Sequence, residues 1–244
     1  MNIQSLNKET HAALRVKPPG DCAYLATVQY LPLLVTEFIT ACTDMPIVFI
    51  KNSETGQFQP VAMFGLQRAT NAFVSADGKW RANYLPAVAR QAPFRLIASD
   101  EHPDRLFVGL DADHETVSRT EGEALFDDAG NETPFLERRR KALLEFAEHT
   151  QLTRGFIDLL LQHDLLRPRT LHYGPDGAGA GITGLYVVDE ERLNALPAAE
   201  YMGLRDRGFL AVVYAHLVSL GQVRRLAATA AQRAPDGPDS PKAN

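Results

Sequence analysis

His102-Pro-Asp104 carries the His-x-Asp spacing of two ligands in a facial triad, the arrangement that holds non-haem iron with open positions for oxygen chemistry. His172 or His216 would have to complete it, making the chain a metal-dependent oxygenase, or an oxygenase subunit, that acts on peptides. The expected elements oppose that reading. Two helices between about residues 134 and 166 separate the pair from His172, and His216 lies among the apolar rows of another helix. Residues 102–104 then read as a polar turn between strands. Asp111, Asp113, His114 and Glu115 offer donors to a divalent cation but lack the glycine and distal bidentate glutamate of a calcium loop, so a solvated strand end is expected. Gly174-Pro-Asp-Gly-Ala-Gly-Ala-Gly181 has the glycines of a phosphate loop without its Gly-Lys-Ser/Thr ending, and reads as a flexible loop. Arg138-Arg-Arg-Lys141 is interleaved with Glu132, Glu137, Glu145 and Glu148 at helical spacings that pair opposite charges. No Ser/His/Asp set or Cys/His pair has a recognisable local signature. No cofactor is expected.

One stretch is specialised in composition without a catalytic pattern. Asn71, Trp80, Tyr84, Pro86, Arg90, Pro93 and Phe94 fall within 24 residues and include the one tryptophan of the chain. Tryptophan, tyrosine and arginine dominate the energetics of protein interfaces. Turned inward these side chains are core; turned outward they line a groove. Asn71, Trp80, Tyr84, Arg90 and Phe94 are the candidate client-binding residues, with Arg90 offering a hydrogen-bonding fork.

The elements that must position them follow from periodicity. A helix is expected from Pro32, with Leu34, Val35, Phe38, Ala41 and Cys42 along one face and Asp44 and Pro46 ending it. Pro46–Ile50 reads as a strand covered on both faces, and Val61–Leu66 as its hairpin partner. Asn71–Ser75 and Lys79–Leu85 read as strands around an Asp77-Gly78 turn. Phe94–Ala98 and Leu106–Leu110 read as two more. Such short connections join only antiparallel neighbours. Helices are expected from Thr133-Pro134, from about Thr150 to Leu166, from Asp189 and from Phe209 to about Leu226, with a strand at Ile182–Val188.

The chain has 244 residues, of which 45% are hydrophobic and 23% charged, and a formal net charge of −5. An acidic balance disfavours nucleic acid as a partner. Cys22 and Cys42 form no metal or disulfide pattern. No signal-peptide pattern opens the chain and no apolar run approaches the ~20 residues of a membrane span, so a soluble cytoplasmic protein is expected. Residues 1–20 read as a polar leader, 21–226 as a single domain with a possible break near 130, and 227–244 as a disordered tail.

Several motifs occur in a specific order: Tyr30-Leu-Pro32 with Glu37-Phe38, Pro46-Ile-Val-Phe49, Asn71-Ala-Phe73, Asp77-Gly-x-Trp80, and Tyr84-Leu-Pro86-Ala87 through Arg90 to Pro93-Phe94. Gly122-Glu-Ala-Leu-Phe126, Gly184-Leu-Tyr-Val-Val-Asp189 and Ala215-His-Leu-Val-Ser-Leu220 follow. Together they resemble the SapC-like family over about residues 20 to 226. That family is associated with surface-layer protein loci and is distinct from the antimicrobial-peptide permease of the same name. The resemblance implies an accessory to the modification or export of surface-layer or outer-membrane proteins. Its implied partners are a polypeptide client or a partner enzyme, such as a halogenase-like flavoprotein, an oxygenase or a TonB-dependent receptor. The expected fold is α+β, with an antiparallel meander in the N-terminal half packed by helices mostly from the C-terminal half. The expected function is non-enzymatic binding of that client; a purely structural interaction protein, with the aromatic cluster as core, is the remaining alternative.

Overall fold

A computed structural model of the chain describes residues 2–98, 106–173 and 181–231. The chain begins with β1 (Ile3–Ser5), α1 (Lys8–His11) and β2 (Arg15–Val16), followed by a 3-10 turn at Ala23–Leu25. Next come β3 (Tyr30–Pro32), a 3-10 turn at Val35–Glu37 leading into α2 (Phe38–Ala41), β4 (Ile47–Lys51) and β5 (Phe58–Met63). α3 (Ala87–Gln91), β6 (Phe94–Ala98), β7 (Leu106–Asp111), β8 (Val117–Ser118) and β9 (Glu123–Ala124) precede the long α4 (Pro134–Gln162). The hairpin β10 (Leu166–His172) and β11 (Gly181–Val188) leads to α5 (Glu190–Asn194), α6 (Ala198–Asp206), α7 (Phe209–Ser219) and α8 (Gln222–Ala231). Every strand pair among these is antiparallel, and the fold is α+β. Among the described residues no helix is long and apolar enough to cross a membrane.

The described residues divide into two compact units, with the divisions after residues 20, 86 and 152. The first unit takes residues up to 20 and 87–152; it holds the sheets β1-β7-β6 and β8-β2-β9. Its core gathers Leu14, Val16, Phe94, Leu110, Leu125 and Leu136. The stretch read as a polar leader thus carries β1, α1 and β2. The second unit takes residues 21–86 and those from 153 onward, around the five-stranded sheet β10-β11-β4-β5-β3. β4 is buried at Ile47, Val48 and Phe49, as its unbroken apolar run requires. Phe38 meets Phe156 edge-on at 6.0 Å, and Phe156 lies 5.1 Å from Phe209.

α7 completes this sheet with side chains. β11 pairs with β4 only at Leu185↔Ile50 and Tyr186↔Phe49; continuing that register would set Val188 opposite Ile47. There the imidazole of His216 bridges the strands. Its Nδ1–H donates to the Ile47 carbonyl at 2.9 Å, and its Nε2 accepts the Val188 N–H at 3.0 Å. Ser219 Oγ accepts the Ile47 N–H at 2.9 Å and donates to the His216 carbonyl at 2.6 Å. Two side chains of one helix therefore satisfy backbone groups that the diverging strands leave unpaired.

Several expected elements are corrected. Pro32 ends the edge strand β3, where its missing N–H is harmless, and the helix begins only after it with the Val35–Glu37 turn. Asn71–Ser75 and Lys79–Leu85 form no strands beyond a bridge between Val74 and Trp80, because the N–H groups of Asn83 and Tyr84 go to Asp44 instead of a neighbouring strand. The two helices expected across 134–166 are one, α4; Thr150 stays helical by returning its hydroxyl to the Phe146 carbonyl at 2.8 Å. Leu166–His172 is a strand rather than a helix end and loop, and its Pro168 is accommodated at the sheet edge. The final helix is two, α7 and α8, separated around Gly221, and α8 runs on to Ala231; residues 232–244 lie outside the described residues.

Candidate functional site

The segment from Asn71 to Tyr84 is held by short polar side chains and two buried carboxylates. Asn71 donates from Nδ2 to the Leu25 carbonyl at 2.9 Å and accepts the Phe73 N–H at 2.8 Å. Ser75 accepts the Lys79 N–H at 3.0 Å, closing the turn through Asp77-Gly78. Gly78 has φ +77°, and a Cβ there would lie 2.9 Å from Asp21 Cγ, so the turn requires glycine. Trp80 packs its edge on Phe64 at 5.3 Å and tilts over Phe73 at 5.7 Å; its indole N–H donates to the Tyr84 carbonyl at 2.9 Å.

Tyr84 donates its hydroxyl to the Glu37 carboxylate at 2.6 Å, whose other oxygen accepts the Leu34 N–H at 2.8 Å. Asp44 accepts the N–H groups of Asn83 at 2.7 Å and Tyr84 at 3.0 Å, and also the Asn83 side-chain amide at 2.9 Å. Both acids are buried. Sequence reasoning missed them as site residues, noting Glu37 only within the Glu37-Phe38 motif and Asp44 only as a helix end. The available signal was a pair of acids bracketing an apolar helix.

Beside this turn lies an open cleft of about 440 Å³, lined by Ala23, Ala26, Val74, Ser75, Ala76 and Gly78. Its two walls are tied together by the Cys22 N–H, which donates to the Gly78 carbonyl at 2.7 Å. Val74 reaches from the cleft wall to its bridge partner Trp80.

Of the five candidate residues, Asn71, Trp80 and Tyr84 share this unit, while Arg90 and Phe94 belong to the other. Arg90 is exposed on α3, and its carbonyl accepts from Arg139 at 3.3 Å. Phe94 is 3% exposed, with its ring 6.1 Å from that of Phe135 in the core of its own unit. His102 and Asp104 lie outside the described residues; His172 is exposed at the end of β10. Among the described residues no three His, Cys, Asp or Glu side chains converge. Asp111 accepts the Asn2 N–H at 2.9 Å, and His114 sits 2.9 Å from the Thr116 hydroxyl. Among the described residues the basic run is paired with acids, but only in part as its spacing foretold: Lys141 pairs with Glu145 one helical turn on, whereas Arg138 pairs with Glu123 of β9 and Arg140 with Glu132 ahead of α4. Burial pushes both cysteine thiols above their usual range, which leaves them poor nucleophiles.

The family model described as SapC matches residues 6–226. The chain belongs to the SapC family. No curated protein and no solved structure matches it. Several motifs that carried the SapC resemblance acquire physical roles in this fold. Glu37 and Tyr84 are bonded to each other, Asn71 anchors the turn that ends at Trp80, and His216 and Ser219 splint β4 to β11.

Proposed function

We propose that this SapC-family protein is a cytoplasmic, non-enzymatic accessory that holds a polypeptide client or partner enzyme during modification or export of surface-layer or outer-membrane proteins. The observation that carries this reading is the open cleft beside the Trp80 turn. Its volume of about 440 Å³ lies within the range that accommodates small ligands or an anchored side chain. Small residues line it, so room comes from missing side chains rather than from a displaced element. Asn71, Glu37 and Asp44 fix the wall behind it, so a client side chain enters a preformed shape and little ordering entropy is lost on binding. Trp80 acts from behind that wall through Val74 and Phe73.

Capture of the client by the tagged full chain tests the proposal. Ala26 is exposed, so Ala26→Phe fills the cleft without disturbing the core. Capture is expected to fall at least about tenfold with an unchanged melting temperature. Capture that survives both Ala26→Phe and Trp80→Ala would remove this site. Stoichiometric iron in the purified protein, lost on His102→Ala, would replace the reading with an oxygenase.

A further inference from the structure

α7 leaves one apolar face in solvent. From Phe209 to Val223 the chain carries no lysine, arginine, aspartate or glutamate. Ala211, Tyr214, Val218 and Gly221, spaced three and four apart, form the exposed line of this stretch. Val218 is 67% exposed, and Ile39 is 59% exposed on α2, which packs against α7. Tyr201 and, more weakly, the carboxylate of Glu190 lie close enough to the Tyr214 hydroxyl to push its pKa up. The face is basic at both ends. Arg205 and Arg207 outnumber Asp206 before α7, and Arg224 and Arg225 follow it, all exposed; among the described residues Arg225 is the one of these four in an ion pair, with Asp44 at 3.7 Å. This local excess stands against a whole-chain charge of −5.

We propose that the α2–α7 face docks a helix of a partner polypeptide that is apolar along one side and acidic at both ends, about three to four turns apart. The 11 residues of α7 span about 16 Å at 1.5 Å per residue, which sets that separation. Charge decides among the possible occupants. A second copy, parallel or antiparallel, would bring basic end against basic end. An acidic-ended helix meets attraction at both ends, and register is fixed by the charges while the apolar line supplies area. A lipid surface needs bulky side chains to enter the acyl region. Tyr214 and Val218 are bulky, but Ala211 and Gly221 flank them with gaps that a helix backbone can enter closely and that a lipid surface does not use. This docking is independent of the cleft beside Trp80.

The test uses the full chain and two labelled synthetic peptides of about 20 residues. Both carry alanine and leucine along one face; one has glutamates at both ends and the other lysines. Fluorescence anisotropy at low salt is expected to show the glutamate-ended peptide binding at least about tenfold more tightly than the lysine-ended one. Val218→Asp and Ile39→Asp, both at exposed positions and checked for folding by circular dichroism, should each abolish that binding. The double variant Arg207→Glu/Arg224→Glu should reverse the preference between peptides. Equal binding of the two peptides, binding of neither, or binding indifferent to Val218→Asp overturns the proposal. So does Val218-dependent self-association by sedimentation, or Val218-dependent binding to phosphatidylglycerol vesicles in place of the peptide.

Discussion

Acidification should loosen the second unit through one side chain, His216. Its ring is fully buried, donates to Ile47 and accepts from Val188, so only the neutral tautomer with a bare Nε2 fits. Burial pushes its pKa down to about 4, with the Ile47 carbonyl opposing that shift weakly. Unfolded, the same imidazole has the ordinary value near 6.5. Between those two values the unfolded chain binds more protons than the folded one, so stability falls as pH falls. The contribution is complete above about pH 6.5, declines through the window and levels off below about pH 4. A gap of about 2.5 pH units corresponds to about 3 kcal/mol, a large share of a typical domain's 5–15 kcal/mol. Urea unfolding of wild type and His216→Asn at several pH values isolates this effect, because carboxylates titrate alike in both. Wild type should lose about 3 kcal/mol more than the variant between about pH 7.5 and 4. Parallel pH profiles would refute the reasoning. The variant should also be less stable by about 1–3 kcal/mol at neutral pH, since it leaves the buried Val188 N–H without its acceptor.

Asp44→Ala leaves the N–H groups of Asn83 and Tyr84 without their acceptor and should cost about 2–4 kcal/mol in denaturant unfolding, with Trp80 fluorescence shifting as the segment loosens. Ala69 is exposed with φ +57°, so Ala69→Gly should stabilise by about 0.5–1 kcal/mol and raise the melting temperature slightly.

The pairs β4–β5 and β6–β7 were readable because each joins strands close in sequence, although the two pairs fall in different sheets. β4, β6 and β7 lie where apolar runs and turn residues predict, β5 (Phe58–Met63) begins three residues before its expected start at Val61, and the Asp77-Gly78 turn forms as its dipeptide implies. Long-range substitutions for backbone pairing were not readable. Nothing near Asn83 announces that its N–H belongs to Asp44, 39 residues away, so a clean alternation of side chains looked like a strand. β10 was hidden by Pro168, which excludes a central strand but not an edge. His216 was legible as a core histidine by its apolar neighbours, yet its partners Ile47 and Val188 come from distant strands. For the candidate site, sequence clustering brought Asn71, Trp80 and Tyr84 together correctly in space. Arg90 and Phe94 are near them in sequence but fold into a different unit, because the chain crosses from one unit to the other after Pro86.

Site-specific photo-crosslinking in cells tests the holding role most directly. A benzophenone side chain placed at Ala26 or at Ala76, both lining the cleft and both exposed, should yield a covalent adduct to the same discrete polypeptide. The same group at Glu54, exposed in the turn between β4 and β5, should yield none. No adduct from the cleft positions, or the same adducts from Glu54, would contradict the account.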